Sequence, residues 1–394
     1  MNMFQAHRDT VIKQLEHPLI ITGFDKVQRV NDAAYDFTQE SSFWYFTGIE
    51  EAGWRLIIND NQSFLVAPDV DEVHRIFDGG MSSDEARTVS GVDTILSAKD
   101  GDEMIRILAT KHDTVMTLGK EPYASHYDFI TNPAPDVLRR KLKKLYTHVE
   151  DIRPELSKLR AIKSDDELAS MQGAIDITID AFSNLYNTLS TKEFEYHIEA
   201  ALTHDIRSAG ASGHAYDPII AAGKNACTLH YVKNDHALPK NGLVLIDVGA
   251  RYKGYAADIT RTYAIGTPTE RQKAVHAAVE KAHHDIIALI RPGLLVKEYS
   301  EAVDEIMHRA LDSLHLLKTE EDYHRYFPHA ISHGLGVDVH DSLGGTKDFK
   351  PGMVLTVEPG IYIPEEEIGV RIEDDILVTH DGCKNLSGKL STAL

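Results

Sequence analysis

Apolar residues recur at helical intervals over residues 4–15, and the run Leu19-Ile20-Ile21 behind them predicts a buried strand. Leu56-Ile57-Ile58 and Phe64-Leu65-Val66 flank the polar triplet Asn59-Asp60-Asn61, the pattern of two strands joined by a tight turn. Ser83 ahead of Asp84 and Glu85 predicts a helix cap with acids in the first turn, and residues 92–96 predict the strand that follows. A helix at 104–109, a strand at Val115-Met116 and a helix at 136–145 continue the alternation. Helix and strand alternating in this way predict a small α/β layer domain.

Arg153-Pro154 interrupts that rhythm. Ser164 with Glu167 three residues on is a capping-box pattern, opening an amphipathic run to about residue 189. Thr191, with Glu195 close behind, marks the start of a second helix. Beyond it, apolar strands at 243–248 and 354–357 are separated by long helical stretches at 268–290 and 296–315. This half reads as α+β, helices packed on a mostly antiparallel sheet. The join is placed near residue 155, giving domains 1–155 and 156–394.

Composition narrows the function classes. Of 394 residues, 42% are hydrophobic and 26% charged, an ordinary globular mix that excludes fibrous and disordered chains. Asp and Glu exceed Lys and Arg by 61 to 41, and the formal charge of −20 disfavours phosphate backbones and anionic membranes as partners. Cys227 and Cys383 are the only cysteines, too few for a disulfide scaffold. Residues 1–18 lack the apolar run of a secretory signal and no stretch is long enough to span a bilayer, so a cytoplasmic location is expected. Gly223-Lys224-Asn225 lacks the hydroxyl residue of a P-loop, and no Gly-x-Ser-x-Gly elbow occurs.

Three segments carry candidate chemistry. Two apolar strands flank residues 251–254, and centring the turn between Tyr252 and Lys253 sets Asp247 directly opposite Asp258, their Cβ atoms about 5 Å apart. Facing like charges are destabilising, so the pair marks either a divalent cation or a solvated hairpin end; Leu245, Ile246, Ala256 and Ile259 argue for burial. His329, His333 and His340 fall within twelve residues among glycines, as metal ligands or as a histidine-rich surface loop. Residues 354–357 form a strand ending in Glu358, and a second strand places Glu373 two residues from Arg371, on the same face. Four carboxylates and an imidazole balance two divalent ions, and thiol-free ligation suits manganese, cobalt or zinc. Two such ions about 3.5–4 Å apart would clamp a bridging hydroxide as nucleophile.

Asp247, Asp258, His333, Glu358 and Glu373 occur in that order in LIDVGARYKGYAADITRTY, ISHGLGVDVHD, MVLTVEPGIYI and GVRIEDDILVT. These segments resemble the pita-bread metallopeptidases, aminopeptidase P and Xaa-Pro dipeptidase above all. RVNDAAYDFTQESSFWYFTGIEE resembles the aminopeptidase P amino-terminal domain. The resemblance implies a carboxy-terminal pita-bread catalytic domain behind a smaller α/β domain. It implies hydrolysis of the Xaa-Pro bond at a peptide's amino terminus by a metal-bridging hydroxide, the alternatives being a dipeptidase restricted to Xaa-Pro dipeptides and a non-catalytic binding protein. The implied cofactor is a pair of divalent ions, Mn2+ before Co2+ or Zn2+, and the implied assembly a homodimer or homotetramer. Residue by residue, His230 and His340 match histidines beside the developing oxyanion, and Glu358 matches a ligand that also shuttles a proton. His329 matches the proline-pocket histidine, and Tyr362, Arg371 and Tyr216 match substrate-side positions. Asp32 matches an acid that holds the substrate amino terminus, sometimes from a neighbouring subunit. Tyr216 and Tyr362 also read as core aromatics, and Asp32 as a solvated loop acid. The chain departs from the pattern at Phe77, in a loop where aminopeptidase P often has tryptophan, and at Gly334, often a bulky position; both changes bear on the pocket rim.

Overall fold

The run Leu19-Ile20-Ile21 becomes the strand Leu19–Thr22, buried at every residue. It pairs antiparallel with Arg55–Asn59 and parallel with Thr114–Thr117. Gln62–Val66 and Thr94–Leu96 extend the sheet on one side and His148–Asp151 on the other, giving six strands of mixed direction. The predicted polar turn is tight, with Asp60 and Asn61 both at positive φ. The helices Ala98–Ala109 and Pro133–Leu142 contribute Ile105, Leu108, Leu138 and Leu142 to a core with Ile20, Ile57 and Val66. All residues are described except Met1, Pro122, Tyr123, Ser125, His126 and Glu320 in this computed structural model, and the chain divides into two compact units, Met1–Leu159 and Arg160–Leu394. Residue 155 lies inside the helix Arg153–Ala161.

Two local readings of the first unit need correction, at Ser83 and Phe77, and one element carried no reading at all. The cap of the helix Ser83–Ser90 is Ser82, not Ser83, because Ser82 exchanges bonds with Glu85 three residues on. The segment around Phe43 and Trp44 is the helix Ser41–Thr47, stopped by Gly48 at φ 67°. Phe77 sits not in a loop but in the helix Glu72–Asp78, which buries none of its residues.

The second unit opens with the helix Asp165–Thr188, capped reciprocally by Ser164 and Glu167. The next helix is Glu195–Ser208; Thr191 belongs to a separate 3-10 turn and caps nothing. Ile219–Ala222, Gly242–Val248 and Ile259–Ile265 form an antiparallel sheet. Val354–Val357, Asp374–Val378 and Cys383–Asn385 form another, and Gly360–Ile363 pairs with Ile368–Arg371. The helices Glu270–Ile287 and Val296–Ser313 press Val275, Val279, Val303 and Met307 onto Leu355, Val357, Ile361 and Val370. Each such side chain contributes roughly 1.5–3 kcal/mol on burial, which lets the same strands hold carboxylates that burial disfavours. Among the described residues no helix is long and apolar enough to cross a membrane.

Candidate metal centre

The hairpin that carries two of the acids turns one residue later than the sequence suggests. Tyr252 pairs with Tyr255 and Val248 with Ile259, so the turn is Lys253-Gly254. Both turn residues have positive φ, 48° and 79°, the two-residue geometry that matches strand twist and favours glycine second. Asp247 is therefore opposite Thr260, and Asp258 comes level with Gly249. The two acids are not directly opposed; they are diagonal neighbours on one face. Both are buried, so the solvated-end reading fails.

Asp247 is the acid with its own donors. The Tyr216 hydroxyl and Arg371 Nη2 each lie 2.5 Å from its oxygens. Arg371 donates further to Tyr362 Oη at 2.9 Å and Thr260 Oγ1 at 3.2 Å. Thr260 in turn donates to Glu373 Oε2 at 2.8 Å. Glu373 is not inside a strand; it occupies the break between Ile368–Arg371 and Asp374–Val378, where its N–H bonds Thr260 O. Arg371 and Glu373 do share a face, with Nε and Oε2 3.9 Å apart.

His333 faces the remaining acids, its Nε2 3.4 Å from Asp258 Oδ2 and 3.5 Å from Glu358 Oε1. Its Nδ1 lies 3.0 Å from Gly334 O, a contact that fixes the tautomer and leaves Nε2 for a ligand. Gly334 pairs with both Asp341 and Leu355, and a Cβ there would lie 2.5 Å from Asp341 O, so glycine serves this close approach. Glu358 follows its strand directly and accepts from Thr356 Oγ1 at 3.2 Å. His329 Nδ1 lies 2.8 Å from Ala330 O and 3.7 Å from Glu358 Oε2. With Nδ1 donating to that carbonyl, Nε2 accepts from the Tyr362 hydroxyl at 2.9 Å. His340 lies beside His333, ring centres 4.1 Å apart. His230 is exposed on the turn after Gly223–Cys227, and burial, then the neighbouring His333, lowers the pKa of His340. Asp32 belongs to the other unit, exposed between Gln28–Val30 and Ala33–Ala34.

The electrostatics describe acids in search of positive charge. Burial, then Asp258, Glu358 and Asp247, push Glu373 well above the usual carboxylate range. Burial, opposed by His333, pushes Glu358 up to about 7. Burial also raises Asp247, against the pull of Arg371. Burial works against a charge on His333, yet Asp258 and Glu358 outweigh it and lift the imidazole to about 9. His329 goes the other way, down to about 4, through burial and then Arg371. Asp258, His333 and Glu373 each offer a ligand atom within 4.8 Å of the others. Buried acids this close, drawing a proton onto His333, fit divalent cations, which would neutralise the acids and leave the imidazole neutral with Nε2 free to ligate.

Sequence reasoning missed Asp375. This fully buried acid accepts the Asp258 N–H at 3.2 Å, while burial and Asp258 drive it well above its ordinary range. The acidic triplet Glu373-Asp374-Asp375 between apolar runs was the available signal. Thr260 and Thr356, which orient Glu373 and Glu358, left none.

Residues 169–380 match the model of metallopeptidase family M24, and residues 4–116 match the aminopeptidase P N-terminal domain. The chain is similar to the Xaa-Pro aminopeptidase of Escherichia coli, 34% identical over 98% of this chain and 94% of that one. Among solved structures it is similar to proline aminopeptidase P II from Yersinia pestis, with TM-score 0.85 and 32% identity over 100% of this chain and 98% of the other. Aminopeptidase P from E. coli with the inhibitor Pro-Leu gives TM-score 0.86 and 31% identity over 99% and 95%.

Proposed function

The chain belongs to metallopeptidase family M24, and from that membership we propose that it is an Xaa-Pro aminopeptidase, releasing the first residue of peptides whose second residue is proline. The observation that carries the reading is the convergence of Asp258, His333 and Glu373 within 4.8 Å, flanked by Asp247 and Glu358. These five residues would hold a pair of divalent ions, manganese first and cobalt or zinc otherwise. Bound there, the ions supply Lewis acidity toward the scissile carbonyl and make water nucleophilic at neutral pH.

The chain's own residues supply the rest. Arg371 pairs with Asp247, opposing the rise that burial causes, and ties it to Tyr362. A tertiary Xaa-Pro amide has no N–H, and its nitrogen leaves only after gaining a proton. Glu358, between His333 and His329, is placed to accept a proton from water at Oε and return it to that nitrogen. His329 stands edge-on to Tyr362 and to Phe327, ring centres 5.5 and 5.1 Å away, and the three form a neutral wall for the proline ring. His340 and His230 donate toward the oxygen where charge develops. Asp32 holds the substrate's amino group, within one chain or across a homodimer or homotetramer.

The test is kcat/KM of the manganese-reconstituted protein on Xaa-Pro-Yaa and Xaa-Ala-Yaa peptides, with Xaa-Pro dipeptides alongside. A strong preference for proline in the tripeptides is expected. Equal values for proline and alanine overturn the specificity, and turnover confined to dipeptides makes the enzyme a dipeptidase.

A further inference from the structure

A second acid–acid–histidine cluster lies at the start of the helix Glu195–Ser208. Ligand-type atoms of Glu195, Asp235 and His236 also fall within 4.8 Å of one another. The Tyr231 hydroxyl fills this cluster, 2.8 Å from Glu195 Oε2, 2.9 Å from His236 Nδ1 and 3.3 Å from Asp235 Oδ1. Glu195 is fully buried, yet its oxygens are satisfied. Oε1 accepts from Ala222 N–H and Asn225 Nδ2, both at 2.9 Å. Oε2 accepts from the Tyr231 hydroxyl and from His236 N–H at 3.0 Å. Four donors meet the capacity of a carboxylate, so the cluster needs no cation, and a hydroxyl stands where one would sit.

The four donors come from both sides of residue 230. Ala222 and Asn225 precede it; Tyr231 and His236 follow. Asn234 adds a second hold, accepting Ile220 N–H and donating to Glu199 Oε2 and Pro218 O, each at 2.9 Å. Leu229 and Tyr231 also pack against the apolar group of Ile219, Leu245 and Tyr362, and the Tyr362 hydroxyl touches Arg371 and His329. His230 itself is exposed, within electrostatic reach of His329 and His340, so its place is set by its neighbours in sequence.

We propose that Tyr231, anchored through its hydroxyl on buried Glu195, is a positioning residue for His230. The inference deepens the proposed function and rests on it for the part His230 plays in turnover. Tyr231→Phe removes one oxygen and keeps the ring in its apolar seat.

The test compares wild type, Tyr231→Phe, His230→Ala and the double variant, manganese-loaded, on one Xaa-Pro tripeptide, with amide exchange followed across residues 223–238. Tyr231→Phe should lower kcat roughly tenfold, the scale of one hydrogen bond to a charged group, with KM little changed. Exchange should quicken in 228–236 and nowhere else. In the His230→Ala background the loss from Tyr231→Phe should vanish, because a residue acting through another is not additive with it. The same loss in both backgrounds, or unaltered exchange, overturns the proposal. A wild-type protein that turns over no Xaa-Pro peptide defeats the proposed function instead, since exchange needs no substrate and still decides whether Tyr231 clamps the loop.

Discussion

Two triplets of the same residue types lie within one unit, Asp258–His333–Glu373 and Glu195–Asp235–His236, each with three ligand-type atoms inside 4.8 Å. Their chemistry is opposite. Glu195 meets four donors from its own chain, one of them the Tyr231 hydroxyl at the centre. Around His333 donors are scarce: Glu373 has the Thr260 hydroxyl, Glu358 has that of Thr356, and the Asp258 side chain faces the imidazole. Burial and mutual repulsion then raise Glu373 and Glu358, and the imidazole is drawn up to about 9. Residue type and spacing do not separate a cation site from a structural clamp. The balance of donors against buried acceptors does.

The sharpest way to break this comparison is Asp258→Asn. It removes one ligand charge while keeping the shape, and kcat/KM on an Xaa-Pro peptide should fall by about 1,000-fold or more, with loss of metal by elemental analysis. A variant retaining both metal and activity would return the triplet to the structural class. Next in size is His340→Ala. If the imidazole meets charge that develops only in the transition state, kcat drops about 100- to 1,000-fold with KM little moved. A raised KM at constant kcat would make His340 a ground-state binding residue.

The comparison also explains what the sequence could reveal. Strands such as Leu19–Thr22 and Gly242–Val248 are legible because every position is apolar or small, apart from the proposed ligand Asp247. Four of the five proposed ligands are legible because acids interrupt such runs, and His333 because histidines cluster among glycines there. The hairpin register was misread because apolar pattern does not locate a turn to the residue; the positive φ of Lys253 and Gly254 does. Ser41–Thr47 was missed because six of its seven residues are buried, so no polar face marks the helical period. Asp375 and Thr260 act through backbone and hydroxyl bonds that form only when distant segments meet, 117 residues apart for Asp375 with Asp258 and 113 for Thr260 with Glu373.

A buried carboxylate–histidine pair elsewhere in this unit sharpens the point, because here a carboxylate has donors and the histidine beside it stays neutral. Asp374 accepts from Arg261 Nη2 and Asn385 Nδ2 at 2.6 Å and from Ser387 Oγ at 2.7 Å. His283 Nε2 is 3.4 Å away. Burial nonetheless pushes His283 down to about 4, outweighing Asp374, while Arg261 and His284 add to the fall and Glu280 opposes it. Between pH 6.5 and 4 the unfolded chain thus binds the proton more readily than the folded one. The stability from a neutral His283 is complete above pH 6.5 and drains as pH falls toward 4, by about 3 kcal/mol for a shift of this size. Urea midpoints at pH 7 and 4.5 check it: His283→Leu should lose less on acidification than wild type, and parallel losses would refute the assignment.

The smallest effect comes from the clamp. In Glu195→Gln one oxygen remains to accept from two donors, and an amide NH2 replaces the other. If that NH2 faces Tyr231 and His236, the hydroxyl can rotate to accept, but the His236 N–H cannot. If it faces Ala222 and Asn225, the Ala222 N–H is left in the same position. Either way one backbone donor loses its partner, buried at Ala222 and part-buried at His236, at a cost of about 1–2 kcal/mol, and the urea midpoint should fall at unchanged m. Metal content should match wild type, because Glu195 spends its lone pairs on protein donors. The paired result, metal lost in Asp258→Asn and kept in Glu195→Gln, is what donor balance requires. Loss of metal from Glu195→Gln would place a cation in the second triplet, and the Tyr231 hydroxyl would then be a ligand rather than the anchor of the His230 loop.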